Sequence, residues 1–120
     1  MMRVLRVQRN EEGAASVLAL GLVGGVLAVT AAIIPVAGAF VASQRAANAA
    51  DAAVLAAADV VSGAIAGVPC ELAGRVAARN GAALTRCAID GPAASVTVVV
   101  GAAGFSIDAT ARAGPPGWTG

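Results

Sequence analysis

Two cysteines are the residues of this chain whose type and spacing suggest chemistry. Cys70 and Cys87 are separated by sixteen residues, which is neither the Cys-x-x-Cys spacing of redox motifs nor a common zinc pattern. The 120 residues contain no histidine, so a closed zinc site would have to recruit carboxylates. The pair therefore has three interpretations: a structural disulfide, two buried free thiols, or a metal or redox site.

Carboxylates are the remaining candidates for acid–base chemistry, because the chain has no His, Lys or Tyr. Asp51 and Asp59 would lie about 12 Å apart along a helix, which is wider than a glycosidase pair. Glu71, Asp90 and Asp108 are scattered, and no glycine-rich loop has phosphate-binding form. We therefore predict no enzyme activity and no cofactor. The net charge of +1 gives no basic patch, so we expect no nucleic-acid partner.

An apolar helix near the N-terminus is the longest element that the sequence predicts. Residues 14–42 carry no charge over 29 positions, and about 20 apolar residues cross the hydrocarbon core of a membrane. Arg3, Arg6 and Arg9 precede this run, so we expect a single-pass protein of the cell membrane with its N-terminus in the cytoplasm. The C-terminal part, with both cysteines, would then lie in an oxidising space. That location favours a structural disulfide, worth about 3 kcal/mol for this loop length.

Glycine and proline within the apolar run suggest how it packs and where it could be cut. Gly21 and Gly25 form a Gly-x-x-x-Gly pair, a spacing that lets helices approach closely. Pro35 is expected to kink the helix. In an alternative interpretation the run is a signal sequence cut near residues 37–39, which would release a small secreted binding module. A signal h-region usually has about 7–15 residues, and this run is roughly twice as long.

The composition beyond the apolar run predicts one small α+β domain. We divide the chain into a cytoplasmic leader (1–13), a transmembrane helix (14–42), an extracytoplasmic head (43–113) and a flexible tail (114–120). The alanine-rich sequence should carry the first helix outside the membrane as far as about residue 66. A second, short helix should begin at Pro69 and end at Asn80-Gly81, with Leu72 and Val76 toward the core.

A change to alternating residues predicts a three-stranded antiparallel sheet in the rest of the head. The expected strands cover residues 85–89, 95–100 and 105–112, and the second is almost entirely β-branched. In the third strand one face should be buried and the other exposed to solvent. The predicted inward-facing residues are Phe105, Ile107, Ala109 and Ala111, and the outward-facing ones are Ser106, Asp108, Thr110 and Arg112.

This plan of charged leader, long apolar helix and small head resembles the TadE/TadG-like pseudopilins of tight-adherence (Flp-type) pilus and secretion systems. It is similar above all to the actinobacterial TadE-like proteins, often encoded near a helicase and secretion genes. The resemblance covers nearly the whole chain through the order and spacing of several segments. These are the leader end at residues 9–13, the alanine-rich residues 48–58, Pro69-Cys70, residues 76–82, Cys87, the valine-rich strand and residues 111–115.

The resemblance implies a pilin-like fold and a minor pseudopilin or assembly protein that acts through helix packing and protein contacts. Its partners would be other pilin or pseudopilin subunits and an inner-membrane secretion platform. A prepilin peptidase would cut after Gly13, leaving Ala14 as the first residue. Leu18 stands where many pilins carry Glu, so both a filament subunit and an assembly factor that stays at the membrane remain open. Without the resemblance, the same plan describes a single-span protein whose head senses or scaffolds.

Overall fold

A computed structural model describes residues 2–102 and 104–119, with side chains from residue 11 onward. The chain forms two helices followed by three strands: α1 (Met2–Val61), α2 (Pro69–Arg79), β1 (Ala83–Asp90), β2 (Ala93–Ala102) and β3 (Phe105–Ala113). The three strands make one antiparallel sheet in the order β1-β2-β3. The predicted α+β layout, with a long N-terminal helix, a short helix and a three-stranded sheet, is confirmed.

Contacts divide the chain into two compact units, Met1–Ala37 and Gly38–Gly120. The first unit is helical throughout its described residues. The second unit contains the C-terminal part of α1, the helix α2 and the whole sheet. The second unit therefore combines helices with a sheet, and these elements together can form the core of a small domain.

The first helix ends at Val61, so the predicted end near residue 66 is wrong. Gly63 adopts a φ of 84°, a left-handed conformation that glycine takes without steric cost. The N–H of Gly63 donates to the carbonyl of Val60 at 3.1 Å, and that of Ala64 donates to the carbonyl of Asp59 at 2.9 Å. This pair of bonds is a Schellman motif, which satisfies the last helical carbonyls and turns the chain away.

A stripe of small side chains on α1 forms one side of the hydrophobic core. Its buried members recur at intervals of three or four residues, which places them on one helix face. Asp51, Leu55 and Asp59, which repeat at four-residue spacing and so share one helix face, all lie on the exposed side. The stripe consists of Ala42, Ala46, Ala49, Ala50, Ala53, Val54 and Ala57.

The second helix begins and ends where the sequence predicted. Pro69 occupies its first turn, and Asn80 is the C-terminal cap. The fully buried residues of α2 are Ala73 and Ala77, whereas the predicted core residues Leu72 and Val76 are only half-buried. The same preference for alanine at the closest contacts therefore holds in both helices.

The central strand β2 supplies the opposite side of the core. Ala94, Val96, Val98 and Val100 are buried on one face and belong to the same hydrophobic cluster as the helix alanines. The inner face of β3 lies in register with them, and its members Ile107, Ala109 and Ala111 are half-buried as predicted.

Phe105 is the exception to the predicted inner face of β3. Its side chain is 56% exposed. The register pairs Phe105 with Ala102, at the last position of the hairpin and beyond Val100, the last buried residue of β2. The ring lies at the end of the sheet, so the predicted alternation of β3 holds but the predicted burial of Phe105 is wrong.

We predict that the alanine stripe tolerates no larger side chain. Ala46 is fully buried, and Ala47 is exposed one position away on the same helix. Ala46→Leu should lower the free energy of unfolding by about 1–3 kcal/mol through overpacking. Ala47→Leu, the matched control, should change it by less than about 0.5 kcal/mol. Denaturant titration of the full chain in detergent, followed by far-UV circular dichroism, measures both; equal effects would contradict the packing described.

Candidate membrane and partner surfaces

The N-terminal half of α1 presents an apolar surface that nothing in the described structure covers. Leu20, Leu27 and Ile34 are all more than 60% exposed, and no residue of the most apolar stretch is buried. By length and composition, the helix over Glu11–Val61 is sufficient to cross a membrane. Water does not stably solvate a helix that is apolar on all sides, so this surface requires lipid or other helices.

The predicted packing and processing residues all lie on this helix. Gly13 and Ala14 are helical and exposed, and Pro35 lies within the helix. A methyl group added at Gly21 or Gly25 would meet no atom within 4 Å. Because they lie four residues apart and have no side chains, these two glycines leave an open strip, one helical turn long, on the apolar surface. Such a strip gives a second helix room for close approach.

The two cysteines form a disulfide between α2 and β1. Cys70 lies in the first turn of α2, Cys87 lies in β1, and their Cα atoms are 5.8 Å apart. Cys87 pairs with Val96 across the sheet and packs partly buried against the core. The bond therefore connects the N-terminal end of α2 to the face of the sheet that the core occupies. A structural disulfide is the interpretation that the sequence analysis favoured.

We expect loss of this disulfide to weaken the head strongly. Cys70→Ser should lower the free energy of unfolding by about 3 kcal/mol, because it reopens a loop of 17 residues in the unfolded chain. Cys87→Ser should cost a similar amount, and the double variant no more than either one. Thermal unfolding with and without a reductant measures this. Insensitivity of the unmodified chain to reductant, with both thiols open to alkylation, would contradict a structural role.

The carboxylates considered as acid–base candidates lie apart on the surface. All five are exposed, and in residues 2–102 and 104–119 no group of three His, Cys, Asp or Glu side chains could hold a metal ion. No polar or charged side chain is buried in that part of the chain. Among the described side chains, Asp90 is the one of these five carboxylates with an ion-pair partner, Arg112, at 3.8 Å.

The outer face of the sheet is polar and open. The hydroxyl oxygens of Thr97 and Thr110 lie 3.0 Å apart across β2 and β3, and the Thr85 hydroxyl donates to the carbonyl of Thr97 at 3.1 Å. A shallow depression over β1 and β2 is lined in part by Arg86 and Ser95. Hydroxyls and guanidinium groups on one flat surface provide hydrogen-bond donors for a protein partner.

Comparison with known proteins gave no match. Neither a protein-family model, nor a curated protein, nor a solved structure matches this chain. The surfaces described above are therefore the basis for a functional proposal.

The C-terminal segment holds a contact that the sequence analysis did not predict. Gly91, in the β1–β2 turn, has a φ of 57°, and a methyl group added there would lie 2.8 Å from the Trp118 ring. The indole thus lies directly against the turn, while 42% of it remains exposed. A Gly followed by Pro marks a turn in sequence, but no local signal connects that turn to a residue 27 positions later.

Proposed function

We propose that this chain is a membrane-anchored minor pseudopilin, or an assembly component, of a Tad/Flp-type pilus or secretion system. The observation that carries the proposal is α1 itself. Its N-terminal part has an uncovered apolar surface, and its C-terminal part supplies the alanine stripe of an α+β head. A protein built in this way acts by inserting one helix in the membrane and presenting a small domain to other proteins.

The orientation that suits this role has the N-terminus in the cytoplasm and the head outside. The arginines of the leader favour that orientation, since basic residues are retained on the cytoplasmic side. The disulfide is consistent with it, because such bonds persist in oxidising compartments and are rare in the cytoplasm. Partners in this orientation would be other pilin or pseudopilin subunits and an inner-membrane secretion platform.

Processing by a prepilin peptidase would leave the apolar helix at the N-terminus of the mature chain. Cleavage between Gly13 and Ala14 removes all the charged residues that precede the apolar run. Leu18 then makes the first turns apolar as well, with no carboxylate to place in lipid. A mature chain of this kind would pack by surface complementarity of small residues alone.

A secreted binding module, released by signal peptidase, is the second candidate. The boundary between the two compact units, at Ala37 and Gly38, coincides with the small residues suited to such a cut. The helix runs without a break through this position, and the core residue Ala42 follows only four residues later. Helical continuity favours the anchored protein, because the cut would fall within a helix.

The intact mass of the native protein separates these candidates. For a processed pseudopilin we expect a chain that begins at Ala14, is two hydrogens lighter than the reduced form, and remains in membranes after alkaline washing. A chain that begins near Phe40 and is recovered from the medium would contradict the proposal and support the secreted module. An uncut chain retained in the membrane would support a membrane-anchored protein and exclude prepilin processing.

We also predict that helix packing in the membrane depends on Gly21 and Gly25. Gly25→Leu should fill the open strip and lower association with partner helices about tenfold, equivalent to about 1.4 kcal/mol. Gly24→Leu is the matched control, since Gly24 is equally open but lies about 100° around the helix from Gly25. The measurement is the yield of cross-linked complexes in native envelopes. Equal losses in both variants would argue against this strip as the contact.

A further inference from the structure

Both edges of the sheet are open in the described residues. The strands β1 and β3 flank β2, so each has one neighbour only. Within residues 2–102 and 104–119, neither strand makes a backbone hydrogen bond to anything outside the sheet. An edge strand presents a row of N–H and C=O groups that can pair with another chain.

Each edge carries one arginine and one aspartate on the outer face of the sheet, namely Arg86 and Asp90 on β1 and Asp108 and Arg112 on β3. Arg86 of β1 pairs with Thr97, and Thr97 pairs with Thr110 of β3. Asp108 lies two residues before Thr110 on the same strand. These side chains therefore all lie on the outer face. Among the side chains described, Arg112 and Asp90 form the single ion pair, so Arg86 and Asp108 are exposed and without a charged partner.

We propose that β3 of one copy pairs with β1 of the next copy to form a continuous sheet. Both strands run antiparallel to β2 and hence parallel to each other, so copies placed side by side bring the two edges together in parallel. A register that sets Asp108 opposite Arg86 of the second copy also sets Thr110 opposite Ala88 and Arg112 opposite Asp90. Every charged residue of the two edges then has an opposite charge across the junction.

The inner face of the junction is complementary as well. Ile89 pairs with the fully buried Ala94 and so faces the core side, yet it is 42% exposed because its strand is at the edge. In the same register Ala111 of the neighbouring copy lies opposite Ile89 and covers part of it. The register shift between Leu84 and Arg86 interrupts β1, so regular pairing begins at Arg86.

A two-fold dimer is the alternative arrangement of two copies. Pairing β3 with β3 of a second copy would need a two-fold axis perpendicular to the sheet and would make the two paired strands antiparallel. Side-by-side pairing instead joins two different edges in parallel, and because the two surfaces differ, it continues into open rows.

Disulfide cross-linking between full-length chains in lipid vesicles tests the register. Chains carrying Ala88→Cys and chains carrying Thr110→Cys, distinguished by tags of different length, are mixed and oxidised. We expect cross-linking between the two variants, since opposed Cα atoms lie about 5 Å apart. Neither variant alone should cross-link, because equal residues of adjacent copies are three strands and two residues, together about 16 Å, apart. Ser106→Cys, about 13 Å along β3 from Thr110, is the matched control.

Charge reversal tests the complementarity without touching the Arg112–Asp90 pair. Asp108→Arg, added to the Thr110→Cys chain, should lower the cross-linking yield about three- to fivefold by opposing two arginines. Arg86→Asp, added to the Ala88→Cys chain, should restore the yield. Mass mapping of the Cys70–Cys87 disulfide and thermal unfolding show that each head is folded.

Three results would overturn the pairing. The first is cross-linking of Thr110→Cys chains with each other, which indicates a two-fold junction. The second is a yield from Ser106→Cys equal to that from Thr110→Cys, and the third is no rescue of the Asp108→Arg yield by Arg86→Asp. Each leaves the proposed function intact if the chain resists alkaline extraction from the membrane. Extraction by alkali would contradict the anchored function, and the cross-linking pattern would still decide the pairing.

Discussion

The close approach of small side chains holds the head together. The buried residues of both helices are alanines with one valine, and Val96 and Val98 of β2 are the largest side chains that are fully buried. Burial of such short side chains contributes less per residue than burial of Leu or Phe, because the effect scales with the apolar area removed from water. The core gains contact by bringing backbones close, and so it depends on every position of the stripe remaining small.

A core of this kind needs covalent support. An isolated helix of 11 residues is marginal in water, so α2 depends on what it packs against. The disulfide fixes its first turn to β1, and Leu84 of β1 approaches Gly74 in the middle of the helix. Because such bonds persist in oxidising compartments, the stability of the head depends on the redox state of the space that it occupies.

Local sequence predicted the elements well and their tertiary surroundings less well. The valines of β2, the alternation of β3 and the Pro69 and Asn80 signals place three elements correctly. The cysteine spacing alone left three interpretations open, and the expected location favoured the disulfide that joins α2 to β1. The end of α1 was missed because Gly63, unlike the other helical glycines, is used as a cap. Phe105 and Trp118 were missed because burial at a sheet end, or against a turn, depends on register and distant residues.

The same register explains why partner surfaces escape sequence analysis. Arg86 and Asp108 are ordinary exposed charges in the sequence, and only the strand order places them on opposite edges of one face. The pairing proposed above uses these edges, because β1 and β3 each have one neighbour in the sheet. Residue types alone therefore cannot identify such a surface, since the strand order decides which charges lie at an open edge.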